Sequence, residues 1–117
     1  MKYAMTCGRA AWEDDSAFPE SAKQEMYGAA VEWFGRLAAQ GKVTGGEQLQ
    51  GPETARTVAL TKGGGSTVVD GPFLVDGKLA LGGYIILEVA DFDEAIALTR
   101  TFPIPESKVE VRPVIER

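Results

Sequence analysis

Two segments with helical periodicity stand between runs of alternating side chains, and this order restricts the fold more than any other feature. Residues 19–40 form the longer helical segment, and an apolar stripe recurs along it at helical spacing: Met26, Ala30, Trp33 and Leu37. Residues 91–101 form the shorter one, where Asp91 precedes Glu94 by the three residues of an N-terminal capping pair. The chain is therefore predicted to contain two amphipathic helices.

The remaining apolar residues mostly alternate with polar ones, which is typical of β-strands. The strongest run is Gly-Tyr-Ile-Ile-Leu-Glu-Val at residues 83–89. Further strands are predicted at residues 1–8, 42–49, 56–62, 66–70 and 108–115. The glycines at residues 63–65 join two of these runs and predict a β-hairpin. Loops are predicted at residues 9–18 and 71–82.

The resulting element order is β-α-β-β-β-β-α-β. Without the hairpin at residues 56–70 it becomes β-α-β-β-α-β, the ferredoxin-like plan, in which two helices cover one face of an antiparallel sheet. The sequence therefore predicts an α+β, ferredoxin-like fold with an extra β-hairpin. A length of 117 residues suits one domain, residues 1–117.

The alternation also divides this sheet into two faces. In the ferredoxin-like plan the first strand lies between residues 83–89 and the final strand. The helix-facing set is predicted to be apolar: Tyr3, Met5, Cys7, Ile85, Leu87, Val89, Val109, Val111 and Ile115. The opposite set, here called the outer face, is mixed: Lys2, Ala4, Thr6, Tyr84, Ile86, Glu88, Glu110, Arg112 and Val114. We expect a second copy to cover it around a two-fold axis; a monomer with a wet sheet face is the alternative.

Composition excludes several kinds of function. The chain has no histidine and one cysteine, so a Ser-His-Asp triad, a Cys-His pair and histidine- or thiolate-ligated zinc cannot form within it. A net charge of −5 argues against nucleic acid and anionic membranes as partners. No run approaches the ~20 apolar residues of a membrane span. Residues 1–10 do not look like a signal peptide, and the lone Cys7 fits a reducing, cytoplasmic location. No cofactor is predicted.

Four short motifs occur in order along the chain: Gly-Gly-Glu at residues 45–47, Asp-Gly-Pro-Phe at 70–73, Gly-Gly-Tyr at 82–84 and Val-Glu-Val-Arg-Pro at 109–113. Together they resemble the YCII-related family, and within it the DGPF-domain proteins, over essentially the whole chain. The resemblance implies a dimeric α/β barrel made of two ferredoxin-like subunits in a bacterial protein.

The same resemblance implies little about activity. Some members of the broader family are similar to enzymes that use a His-Asp pair, and the aspartate of that pair corresponds to Asp70. Because this chain has no histidine, that chemistry does not carry over. Asp76 and Lys78 stand near the place where DGPF proteins usually have a glutamate and a Lys-Glu pair, in a stretch one residue longer.

Carboxylates, one tyrosine and two cationic side chains supply the candidate site. Asp70 is predicted to act as a catalytic base or ligand anchor at the mouth of a cleft, and an Asx-type turn is its structural alternative. The expected ligand-binding residues are Glu47, Tyr84, Glu88, Arg112, Asp76 and Lys78. If Asp70 were half-buried beside Glu47, repulsion would raise the pKa of one of the two carboxyls. No metal site is predicted, because the carboxylate spacing matches no known cation loop.

Glu88 and Arg112 fall on the same face of the predicted sheet. A cross-strand salt bridge between them is favoured over the alternative, in which Arg112 binds an anionic ligand. Neither arrangement by itself identifies a reaction.

Two functions remain open at this point. The first is a homodimer that binds an unknown small molecule in a cleft between the sheets, with lyase- or isomerase-type proton transfer by a carboxylate if it is an enzyme. The second is a non-catalytic regulatory or protein-interaction module linked to bacterial transcription regulation. The missing histidine slightly favours the non-catalytic function.

Overall fold

The computed structural model describes residues 1–10, 20–77 and 79–117. Its strands are β1 (Lys2–Ala10), β2 (Val43–Gln48), β3 (Arg56–Leu60), β4 (Ser66–Asp70), β5 (Val75–Asp76), β6 (Leu79–Glu88) and β7 (Ser107–Pro113). The helices are α1 (Glu20–Ala39) and α2 (Phe92–Thr99), and one 3-10 turn lies at Pro52–Thr54. The predicted ferredoxin-like α+β fold with an extra hairpin is confirmed.

The main sheet is antiparallel and has the strand order β2-β6-β1-β7. Met5 in β1 lies opposite Ile85 in β6 and Val111 in β7, so β1 is central as predicted. Because β1 runs along the whole of β6, β5 occupies the same side of β6 as β2 does. The chain therefore leaves this edge of the sheet after β2 and returns to it at β5.

The core lies between the sheet and the two helices. Tyr3, Met5 and Leu87 are buried on the helix-facing side, and the Trp33 ring from α1 is buried with them. Helix α2 adds Ala95, so both helices cover the same face, as predicted. Burying side chains of this size is the main favourable contribution to folding, at ~1.5–3 kcal/mol for each fully buried aliphatic chain.

Ile115 was wrongly assigned to this core, because its side chain is 75% exposed. β7 ends at Pro113, and the last contact with β1 is the 2.9 Å hydrogen bond from the Val114 N–H to the Lys2 carbonyl oxygen. β1 begins at Lys2, so among the described strands none lies beside Ile115. The other members of the predicted helix-facing set are buried or pack against the core.

Two predicted loops were partly wrong. The first strand continues to Ala10, where its backbone pairs with Leu79, so β6 begins four residues before the predicted Gly83. A register shift between Cys7 and Gly8 takes up one extra residue on β6, which lets the glycine-rich stretch continue as strand. Sequence periodicity fails here because glycines carry no side chain to alternate.

Both helices end or begin with the predicted signals. Gly41 has φ +74° and closes α1: its N–H donates to Ala38, and the Lys42 N–H donates to Leu37, a Schellman motif. Asp91 caps α2, because its Oδ1 accepts a 2.8 Å hydrogen bond from the Glu94 N–H. Pro19 and Phe18, which the sequence places at the start of the first helix, lie outside the described residues.

The predicted hairpin is confirmed as β3–β4, and it is called the hairpin arm below. Gly64 has φ +90° in its connection, a conformation that glycine adopts without strain. The arm forms its own two-stranded sheet. In the described part of the chain, its strands pack on each other and make no substantial contact with any other element.

Candidate functional site

A cavity of about 270 Å³ lies between α1 and the helix-facing side of the main sheet. Helix α1 lines it with Tyr27, Ala30 and Phe34, and Phe102 lines it from the segment that follows α2. The lining is mainly apolar. Its volume is just under the ~300 Å³ at which typical ligand pockets begin.

The cavity exists because one row of the sheet carries small residues beneath α1. Cys7 in β1 lies opposite Gly83 in β6, at a position where the neighbouring row has Met5 opposite Ile85. Cys7 is buried and forms no disulfide. Because Cys7 has a small side chain and Gly83 has none, a space remains here between the sheet and the rings of α1.

Gly46 forms the next part of the cavity wall, and it must be glycine. It has φ +146°, and a Cβ atom there would come within 2.5 Å of the Tyr84 carbonyl oxygen. An added Cβ at Gly83 would lie 2.9 Å from the Glu47 carbonyl oxygen. The close approach of β2 and β6 therefore depends on both glycines, and the same glycines border the cavity.

Few polar side chains face this space. Gln48 pairs with Gly83 and so points toward the helices, whereas Glu47 pairs with Tyr84 and points to the outer face. The Ser107 hydroxyl borders the cavity and donates a 2.7 Å hydrogen bond to Ile104. The Gln48 amide is therefore the neutral group best placed to orient a bound molecule.

Glu47 and Tyr84, two of the predicted ligand-binding residues, are neighbours across β2 and β6 and both border the cavity. Strand alternation turns both side chains toward the outer face, so their backbones form this part of the wall. Their role in binding stays a prediction.

Asp70 lies apart from the cavity. It ends β4 in the hairpin arm, where its side chain is 96% exposed and its Oδ1 lies 3.5 Å from Nε of Arg56. It is therefore not half-buried beside Glu47. An Asx turn at Asp70 would need the N–H of the residue two positions on, and that residue is Pro72, which has none. The catalytic role of Asp70 stays a prediction.

Glu88 and Arg112 share the outer face, as predicted, but they do not form the expected salt bridge. Arg112 Nη2 donates a 2.8 Å hydrogen bond to Glu110 Oε1, two residues away on the same strand. Glu88 instead accepts from the N-terminal amine at 3.4 Å. The hydrogen bond and charge of Arg112 lower the pKa of the Glu110 carboxyl, and Glu110 raises the pKa of Arg112.

The family model of the YCII-related domain matches residues 1–117. The chain belongs to the YCII-related family. A comparison with curated proteins finds no match. In the part of this YCII-related chain that the structure describes, neither helix combines the length and the apolar character of a bilayer-spanning segment.

The described acidic residues of this YCII-related chain are dispersed. Asp76 forms a 3.0 Å ion pair with Lys108, whereas Asp70 pairs with Arg56 on the hairpin arm. Over residues 1–10, 20–77 and 79–117, no group of three or more His, Cys, Asp or Glu side chains could hold a metal ion. Lys78, the remaining predicted ligand-binding residue, lies outside the described residues.

Sequence reasoning missed the cavity of the YCII-related fold because it searched for charged groups. The available signal was the small size of Cys7 and Gly83 at positions that face the helices in neighbouring strands. Two aromatic residues seven positions apart on α1, Tyr27 and Phe34, were the complementary signal. Both signals depend on strand register, which the sequence did not predict at the glycines.

Proposed function

We propose that this YCII-related protein binds a small, mainly apolar molecule in the cavity beneath α1. The observation that carries the proposal is the cavity of about 270 Å³ with the rings of Tyr27, Phe34 and Phe102 in its lining. An apolar cavity of ~150 Å³ already holds benzene in another protein. The larger cavity here has room for a substituted ring, with Gln48 available for one hydrogen bond.

The position of the cavity supports binding of a small molecule more than it supports the carboxylate chemistry expected at Asp70. That side chain is exposed on the hairpin arm and does not border the cavity. If proton transfer accompanies binding, Glu47 is the better candidate, because its backbone forms part of the cavity wall. In that case the reaction requires the Glu47 side chain to turn toward the bound molecule.

The proposal includes a homodimer in which a second copy covers the outer face. Ile86 and Val114 lie only partly buried there, and the Tyr84 ring is exposed beside them. Stacking two such faces removes this apolar surface from water, and each Å² removed contributes ~25 cal/mol. A two-fold arrangement lets one surface serve both copies.

The cavity can be tested by filling it. Ala30→Trp places an indole in the cavity from α1, whereas Ala38→Trp adds the same ring at an exposed α1 position outside the cavity. Saturation-transfer NMR with phenol and indole as probes should show binding to the wild type and to Ala38→Trp. Ala30→Trp should weaken it by about tenfold or more, equivalent to ~1.4 kcal/mol.

A second measurement does not depend on how Ala30→Trp folds. In the wild type, phenol should shift the backbone amide resonances of Gly46 and Gly83 and leave those of β3 and β4 unchanged. Shifts confined to the hairpin arm, or equal binding by both tryptophan variants, would contradict the proposed site. Absence of binding by a wider panel of single-ring probes would contradict the function.

The hairpin arm supports a second candidate function, a non-catalytic protein-interaction module. Val58, Leu60 and Val68 are exposed apolar residues on this arm. Exposed apolar patches of this kind mark surfaces that bind other proteins. Recovery of one stoichiometric partner from cells, together with no ligand binding in the cavity, would favour this function.

A further inference from the structure

The hairpin arm exposes a continuous apolar strip. Val58 in β3 lies opposite Val68 in β4, and Leu60 follows on the same side because strand side chains alternate. Their exposed fractions are 53%, 62% and 82%. This side of the hairpin, bounded by the Arg56–Asp70 ion pair at one end, is called the arm face.

The arm has little stability of its own. A two-stranded hairpin is only marginally stable in water and needs a third strand or a packed layer to hold it. In the described residues, β3 and β4 pack on each other and make no substantial contact with the body of the same chain. Whatever covers the arm must be present whenever the chain is folded, and a second copy of the chain meets that condition.

The arm face supplies the kind of surface that a permanent dimer removes from water. Val58, Leu60 and Val68 are each more than half exposed in the single chain. Permanent interfaces between copies are more hydrophobic than transient ones.

Charge also favours a second copy as the occupant. The hairpin arm carries two cations, Arg56 and Lys62, and one carboxylate, Asp70, on a chain whose net charge is −5. The rest of the chain is therefore acidic. Opposite net charges on two surfaces promote their association and fix its orientation.

We propose that the hairpin arm of each copy packs its arm face on the body of a second copy, so that two arms clasp the dimer reciprocally. The inference rests on the homodimer of the proposed function and extends it, because it assigns a separate contact surface. In this arrangement each hairpin arm packs on the partner and does not project into solvent.

The test places charge on the arm face. The double variant Val58→Asp, Val68→Asp should raise the dimer dissociation constant by about tenfold or more, measured by sedimentation over a range of protein concentrations. Val69→Asp is the matched control, because Val69 lies on the opposite side of the same hairpin and is also exposed. It should change the dissociation constant by less than about threefold.

A second measurement uses the unmodified chain. Hydrogen exchange of the β3 and β4 amides should be slow above the dimer dissociation constant and become faster on dilution below it. Exchange that is independent of concentration would overturn the clasp. So would an unchanged dimer in the arm-face variant, which would leave the outer-face dimer intact.

The remaining outcomes separate this inference from the proposed function. A wild-type chain that stays monomeric, with an arm protected only by a different protein, would overturn both the clasp and the homodimer. Phenol binding in the cavity is measured independently and does not depend on either result. Loss of phenol binding with an intact clasp would overturn the ligand proposal alone.

Discussion

The indole Nε1 of Trp33 donates a 2.8 Å hydrogen bond to Oγ1 of Thr101, which joins α1 to the segment that follows α2. The same hydroxyl donates to the Leu98 carbonyl oxygen at 2.6 Å. The Trp33 ring also packs edge-to-face on Phe102, with ring centroids 5.2 Å apart. Because Phe102 borders the cavity, this junction fixes the position of one of its walls.

Thr101→Val should lower the free energy of unfolding by ~1–2 kcal/mol, because it leaves the buried indole N–H without an acceptor while keeping the side-chain shape. Thr44→Val is the control: Thr44 is exposed in β2, and its replacement should change stability by less than ~0.5 kcal/mol. Urea unfolding measures both values, provided that the dependence of the unfolding free energy on urea concentration is the same in all variants. Equal effects of the two substitutions would show that the hydrogen bond does not stabilise the fold.

Gly46→Ala should lower the free energy of unfolding by ~2 kcal/mol or more, because it combines a positive φ with a clash against the Tyr84 carbonyl oxygen. Gly45→Ala, one residue earlier, meets nothing within 4 Å and has no positive φ. The measurement is chemical denaturation of both variants. A Gly45→Ala variant as unstable as Gly46→Ala would refute the steric explanation.

The pKa of Glu110 is below its ordinary value in the folded chain, so its ionised form stabilises the fold. This contribution is present above the pKa of the unfolded chain and is lost as the pH falls through the lower folded pKa. Arg112→Gln should raise the pKa of Glu110 toward its ordinary value, as measured by carboxyl NMR titration. Lys108→Gln, which removes the partner of Asp76, should leave the Glu110 titration unchanged.

Asp70→Asn should change the free energy of unfolding by less than ~1 kcal/mol, because its ion pair with Arg56 is exposed. It should also leave phenol binding unchanged, since Asp70 does not border the cavity. Calorimetry and ligand-observed NMR check the two statements. A loss of phenol binding in Asp70→Asn would return Asp70 to the site that the sequence suggested.

Much of the fold was predictable because apolar periodicity is a local signal. Trp33 and Leu37 identified the buried side of α1, and the alternation of Tyr3 and Met5 identified the helix-facing side of β1. The hairpin and the Asp91 cap were likewise visible from short motifs. These features depend on residues close together in the chain.

The cavity was not predictable because it depends on residues far apart in the chain. It depends on Cys7 and Gly83 meeting across two strands that are 76 positions apart, next to a register shift that glycine-rich sequence conceals. The charged residues that the sequence singled out proved to be dispersed: Asp70 pairs with Arg56, and Asp76 with Lys108. Side-chain charge was a poor guide here because the space is bordered mainly by rings and glycines.

The central position of β1 has a consequence for how the chain acquires its structure. Its neighbours in the sheet, β6 and β7, come from the far half of the sequence, so Tyr3 must meet Pro113 before the middle of the sheet is complete. Closing such long loops is entropically unfavourable and slows folding. During synthesis, β1 therefore has no neighbouring strand until the residues of β6 have been made, and its second neighbour, β7, follows later still.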